Sequence, residues 1–194
     1  MLHNKYAIGT VVGAALLGLA KSSLLGSKND GVTVYSIEEL LLYANDPSLA
    51  PLVTKVHLGY NELATLPPEI GNLTNLEELW LNNNELTTLP HEIGNLKNLE
   101  RLDLSENQLT TLPHEIGNLK NLKDLYLDYN QFTTLPPEIG NLKNLETLSL
   151  YNNPNFYMNS EQLLQLIING ANQEIQKAIV RANVIPTISN VRLR

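Results

Sequence analysis

The sequence predicts an α/β solenoid, a stack of short units that share one parallel sheet, with single turns on the return path and helical caps at both ends. Two observations carry this. A 23-residue period runs from Val53 to Tyr151, with units starting at residues 53, 76, 99, 122 and 145. Within each unit, apolar residues alternate over Leu-x-x-Leu-x-Leu and then give way to Asn, Pro and Gly, as in Leu76, Leu79, Leu81, Asn84, Pro90 and Gly94. Alternation marks a strand buried on one side, and stacking identical units pairs such strands in parallel.

The chain before the period divides in two. Residues 1–30 read as a signal peptide or membrane anchor plus a linker. Lys5, Lys21 and Lys28 precede the first acid, Asp30, and Tyr6 to Ala20 are uncharged and mostly apolar. Such a run behind a weakly basic start, followed by small residues at Gly18 and Ala20, fits an export signal. It falls short of the ~20 residues that span a bilayer, although Lys21 lengthens it by snorkelling. A membrane anchor and an apolar helix docked on the end of the stack are the second and third readings. Residues 31–52 read as an N-terminal helical cap. Ser36 and Glu39 have capping-box spacing, Ile37, Leu40, Leu41 and Ala44 form one apolar face, and Asp46-Pro47 ends the helix.

In the repeats, 53–156, the leucines form the core. Asn61, Asn84, Asn107, Asn130 and Asn153 sit where the chain leaves the strand. An amide there satisfies backbone groups that would otherwise cost about 1–3 kcal/mol each. The return path carries Pro67, Pro90, Pro113 and Pro136, then Glu69, Glu92, Glu115 and Glu138, then Ile and Gly. Proline suits a first helical position, glutamate the positive end of a helix dipole, and glycine a stop. One helical or 3₁₀ turn is the most that fits.

The wording Pro-x-Glu-Ile-Gly-Asn-Leu-Lys-Asn-Leu, at residues 90–99 and 113–122, is similar to bacterial leucine-rich repeat proteins of the 23-residue Leu-Pro-x-x-Ile-Gly-x-Leu class. It resembles the Ras-binding and plant intracellular members less closely. The resemblance implies a right-handed horseshoe segment whose strands line a concave side, with protein recognition there and no partner named.

Open stacks need ends with one apolar and one polar face. Residues 157–194 supply the second as a C-terminal helical cap and tail. Leu163, Leu166 and Ile167 share a face after Ser160, Gly170 breaks the pattern, and Ile175, Ala178 and Ile179 continue it.

Subtracting the repeated letters leaves a grid of second, third, fifth, seventh and eighth positions that face off the strands. It holds the single tryptophan and four of the eight tyrosines. The partner-binding residues read from it are Lys55, His57, Tyr60, Glu78, Trp80, Asn82, Arg101, Asp103, Asp124, Tyr126, Asp128, Tyr129 and Tyr151. Aromatic side chains of this kind dominate binding hot spots. Eight acids (Glu77, Glu78, Glu100, Asp103, Glu106, Asp124, Asp128, Glu146) stand on the grid against Lys55, Arg101 and Lys123. A field of one sign favours a basic or mixed-charge protein or peptide. The return path hardly changes between copies while the grid differs at nearly every row, which suggests that the grid was diversified for one shape.

The remaining chemistry is set aside. A net charge of −7 opposes nucleic-acid binding. The absence of cysteine removes disulfides, thiolate metal sites and a cysteine nucleophile, and with the last the ubiquitin-ligase type of leucine-rich protein. Paired acids on an open sheet lack the enclosure that raises a catalytic pKa, so no catalytic residues are assigned and a hydrolase is the remote alternative. His91 and His114 are variants of Pro68 and Pro137, and no metal or cofactor is expected. The reading is therefore a non-catalytic, monomeric protein-binding module. It is secreted, or membrane-associated through residues 6–20 if they are uncleaved; the alternative is a cytoplasmic signalling scaffold of Ras-binding type.

Overall fold

The structure, a computed structural model, describes residues 31–189, with side chains placed to residue 182. The apolar segment 6–20 and the linker after it lie outside the described residues. Six strands form one parallel sheet in chain order: β1 (Val32–Val34), β2 (Val53–His57), β3 (Glu78–Trp80), β4 (Arg101–Asp103), β5 (Asp124–Tyr126) and β6 (Thr147–Ser149). From β2 onward the register offsets partners by one period, so that Lys55 pairs with Glu78, Glu78 with Arg101, Arg101 with Asp124 and Asp124 with Thr147. β1 is an addition to the expected cap, which thereby contributes a strand as well as helix α1 (Ile37–Ala44).

The alternation does what was expected of it. Leu79, Leu102 and Leu125, central in their strands, are fully buried, as are Leu76, Leu99, Leu122, Leu81, Leu104 and Leu127. Phe132 fills the place that Leu86 and Leu109 hold in earlier units. Each such side chain contributes roughly 1.5–3 kcal/mol by leaving water.

Four of the five expected asparagines form a buried ladder. Asn107 is representative: its amide donates to Leu81 O of the preceding unit at 2.9 Å and to Leu104 O of its own at 3.1 Å, and its Oδ1 accepts from Leu86 N at 3.0 Å. Asn84, Asn130 and Asn153 repeat the pattern. Asn61 does not; it is exposed and donates to Gly59 O. On its N-terminal side β1 leads almost directly into α1, so no repeat-type loop presents a carbonyl there. A second ladder, absent from the sequence reading, runs through Asn75, Asn98, Asn121 and Asn144. Their amides donate to Pro51 O, Thr74 O, Lys97 O and Lys120 O of the unit before, at 2.9–3.0 Å. Asn172 of the C-terminal cap continues it, donating to Leu145 O at 2.7 Å.

The return path is a 3₁₀ turn in each unit: Pro68–Asn72, His91–Asn95, His114–Asn118 and Pro137–Asn141. Two details differ from expectation. Pro67, Pro90, Pro113 and Pro136 are the extended residues before the turn, and the first turn position belongs to Pro68, His91, His114 and Pro137. Gly71, Gly94, Gly117 and Gly140 do not stop the turn but lie within it. Their role is close approach, since a Cβ at Gly94 would sit 2.6 Å from Glu115 Cβ and 2.9 Å from its carbonyl oxygen.

Both caps form. Ser36 Oγ accepts from Glu39 N at 3.2 Å, while the Glu39 carboxylate reaches Tyr35 N, one residue before the position a capping box uses. Helix α2 (Ser160–Ile168) starts on a full capping box between Asn159 and Gln162, and Lys143 donates to the carbonyls of Asn169 and Gly170 at its end. Ile167 is not on the docked face. Leu166 is buried and Leu163 half-buried, but Ile167 turns outward with Leu164 and Ile168. Helix α3 (Gln173–Ser189) buries Ile175, Ala178 and Ile179 as expected. No helix among the described residues is long and apolar enough to cross a membrane.

Candidate binding face

In β3, β4 and β5, strands of three residues with a buried centre leave the third and fifth positions standing side by side on the sheet, and the same positions of β2 and β6 are in register with them. Because the register step is one period, residues 23 apart are neighbours, and the third row reads Lys55, Glu78, Arg101, Asp124. Lys55 Nζ donates to Glu78 Oε1 at 2.6 Å; Arg101 donates through Nε and Nη2 to Asp124 Oδ2 at 3.2 and 3.0 Å. In the second row Lys123 Nζ pairs with Glu100 Oε2 at 2.7 Å. The Lys55 hydrogen bond, helped by that of the Trp80 indole, holds the Glu78 carboxyl below its ordinary value against a half-buried site, and the same bond raises Lys55.

The fifth row carries an aromatic chain. The Tyr35 and His57 rings meet edge-on at 5.6 Å, His57 and Trp80 at 5.7 Å, and the Arg101 guanidinium lies 5.5 Å from the Trp80 ring centre. Trp80 Nε1 donates to Glu78 Oε2 at 3.1 Å. The indole is thus fixed from three sides, by Glu78, Arg101 and His57. His57 Nε2 is shut off from water with no hydrogen-bond partner among the described residues. Tyr35, just past β1, is a member of this chain that the sequence reading missed, because β1 stands outside the period.

Farther along the sheet the face changes character. Asp103 accepts from Ser105 N and Oγ at 2.9 and 2.7 Å. Asp128 accepts from Ser149 Oγ and, at 2.7 Å, from Tyr151 N. Tyr126 stands half-buried between them in the fifth row. Tyr129 and Tyr151 pack edge-on at 5.6 Å. Asn82 leans over Gly59, where a Cβ would meet its Oδ1 at 2.6 Å.

The eighth position has its own constraint. Tyr60, Asn83, Glu106, Tyr129 and Asn152 all have φ between 53° and 61°. This left-handed backbone suits Asn but costs a larger L side chain about 1 kcal/mol. Tyr60 and Tyr129 are kept there nonetheless, exposed at the rim beyond the strand ends.

The structure therefore sets Lys55, Glu78, Arg101 and Asp124 beside His57, Trp80, Asp103 and Tyr126 on the strands, with Tyr60, Asn82, Asp128, Tyr129 and Tyr151 beyond the strand ends. The three grid bases are each paired with an acid, so the surplus charge resides in Glu77, Asp103, Glu106, Asp128 and Glu146, of which three are held by neighbouring donors. No group of three or more His, Asp or Glu among the described residues is placed to hold a metal ion. His91 and His114 each contact the glutamate that follows, at 3.2 and 3.1 Å.

A model of the leucine-rich repeat region matches residues 61–180, and this chain belongs to the leucine-rich repeat family. Among solved structures it is similar to a leucine-rich repeat protein of Leptospira interrogans, with 44% identity over 68% of this chain and a TM-score of 0.57. It is also similar to the plant peptide hormone receptor RGFR1 in complex with RGF2 (32% identity, 62% of this chain, 19% of that one, TM-score 0.51). An internalin of Listeria monocytogenes aligns over 69% of this chain and 35% of its own at 25% identity, TM-score 0.51. The chain spans 31% of the length of the Leptospira structure. No match was found among curated proteins.

Proposed function

We propose that this chain is a non-catalytic module that binds a protein or peptide partner through the strand face, centred on Trp80, Arg101, Asp103, Tyr126 and Tyr129. The observation that carries the reading is the fixed indole of Trp80. A large side chain already held by Glu78, His57 and Arg101 loses little freedom on binding, which is how aromatic anchors give affinity. The rim tyrosines, held in a backbone conformation unfavourable to them, support the same reading, since strain of this kind concentrates where function needs it. A similar structure is a peptide hormone receptor bound to RGF2, which favours a peptide or protein partner over a small molecule. The surplus carboxylates favour a basic or mixed-charge partner.

The test is capture of partners with the purified chain, using Trp80→Ala with Tyr126→Ala as control. The double variant is expected to keep its unfolding midpoint and lose the partner; equal recovery overturns the placement. Export or surface association rests on the apolar run at residues 6–20 behind Lys5. A mature protein starting near Lys21 in a secreted fraction supports it, and an intact Met1 in a soluble cytoplasmic fraction favours the intracellular scaffold instead.

A further inference from the structure

The last unit ends the sheet with pairing groups that no described residue uses. In earlier units the sixth-position amide donates to the next strand, from Leu58 to Trp80 O, Leu81 to Asp103 O, Leu104 to Tyr126 O and Leu127 to Ser149 O, at 2.8–2.9 Å. The eighth-position amides of Asn83, Glu106 and Tyr129 donate onward at 2.9 Å, and the second-position carbonyls of Glu77, Glu100 and Lys123 accept at 2.8 Å. The equivalent groups of the last unit, Leu150 N, Asn152 N and Glu146 O, have no partner among the described residues. Helix α3 covers the core below, and none of its described residues bonds to Leu150 N, Asn152 N or Glu146 O. Between β6 and α3 lies a cleft of about 170 Å³, floored by Leu148 and Leu150 and walled by the small side chains of Ala178 and Ala182. Arg181 stands at its mouth, exposed, and among the described residues its guanidinium has no acid within ion-pair distance.

We propose that this edge is a second binding site, separate from the concave face, which takes an extended peptide segment bearing a carboxylate by strand addition to β6. The added backbone meets Leu150 N, Asn152 N and Glu146 O in the register each unit offers the next. Its inward side chain enters the Ala178 and Ala182 cleft, and its carboxylate pairs with Arg181. An unpaired edge is a template for such pairing. The guanidinium, with no acid partner among the described residues, selects an acidic segment, opposite in sign to the partner favoured by the concave face. A second copy is the poorer occupant, because a two-fold pairing of β6 with its twin brings two Arg181 guanidiniums to one seam.

The probe is a fluorescein-labelled hexapeptide, Thr-Val-Thr-Val-Glu-Val, titrated with the full chain by fluorescence anisotropy. Saturable binding is expected. Arg181→Glu weakens it on the order of ten-fold through loss of the pair and like-charge repulsion, as Glu to Gln in the peptide does more mildly. N-methylation of alternate peptide amides abolishes it. Trp80→Ala with Tyr126→Ala leaves it unchanged, which separates this site from the concave one. The proposal is overturned if the unmodified chain does not bind the peptide, if Arg181→Glu or the N-methylated peptide binds equally well, or if the concave double variant loses the peptide. Self-association of the chain that excludes the peptide assigns the edge to a second copy and overturns it too.

Discussion

The turn side and the strand face of each unit share a backbone and a period, yet their residues answer to different constraints. On the turn side the repeated glycines and asparagines have contacts that dictate them. Gly94 has no room for a Cβ beside Glu115, and Asn98 and Asn107 reach carbonyls of the unit before. On the strand face only the central leucine is dictated, and its neighbours at the third and fifth positions look outward. Constancy at these glycines and asparagines is thus a packing requirement. The contrast between conserved-looking turns and varied strands loses half its force as a sign of function. What remains is the content of the varied half: a fixed indole, ion pairs across strands, and tyrosines held at positive φ.

This division can be broken at its strongest point first. Asn107→Ala orphans Leu86 N and leaves Leu81 O and Leu104 O with one amide donor each, from Asn84 and Asn130, and a loss of about 2–3 kcal/mol in urea unfolding is expected. A loss well under 1 kcal/mol would mean that water substitutes freely and the ladder does not hold the stack. Gly94→Ala should follow at about 2 kcal/mol, because Glu115 backbone has to shift to admit the new carbon. A tolerated alanine would return this glycine to the simple turn-stopping role.

On the strand side the expected effects are smaller, and one has the opposite sign. Tyr60→Asn should stabilise the fold by up to about 1 kcal/mol, since Asn accepts the left-handed backbone that strains tyrosine. Destabilisation would show that the Tyr60 ring packs for stability and was not kept for contact. The smallest effect is electrostatic. The folded-state pKa of Glu78 is depressed below 4.5, so its contribution is present above that value and is lost as pH falls through the depressed one. Wild-type and Glu78→Gln should therefore converge in stability below about pH 4.5, as read by unfolding at a series of pH values. A gap that stays constant on acidification would rule out the Lys55 pair as its source.

How much of this was legible before the structure depends on the period. The leucine core, the buried asparagines and the 3₁₀ turns repeat every 23 residues, so their environment recurs and their letters show it. The cross-strand pairs were legible too in principle, because Lys55 and Glu78, or Arg101 and Asp124, are one period apart and must be neighbours in a parallel stack. The second ladder had the same signal in its recurrent Asn75, Asn98, Asn121 and Asn144. β1, Tyr35 and Arg181 gave none. Each lies outside the repeats, and its place is set by docking of a cap, which no spacing encodes. Ile167 illustrates the limit: helical periodicity groups it with Leu166, but only the angle at which α2 meets the last turn decides which side is covered.

Trp80 is the single tryptophan of the chain, so its fluorescence reports the proposed binding face alone. The decisive measurement is acrylamide quenching of that emission, free and saturated with the captured partner. Binding at the concave face predicts that the partner shields the indole and lowers the quenching constant, with shielding absent in Tyr126→Ala at concentrations that saturate wild-type. An unchanged quenching constant at full saturation would contradict it.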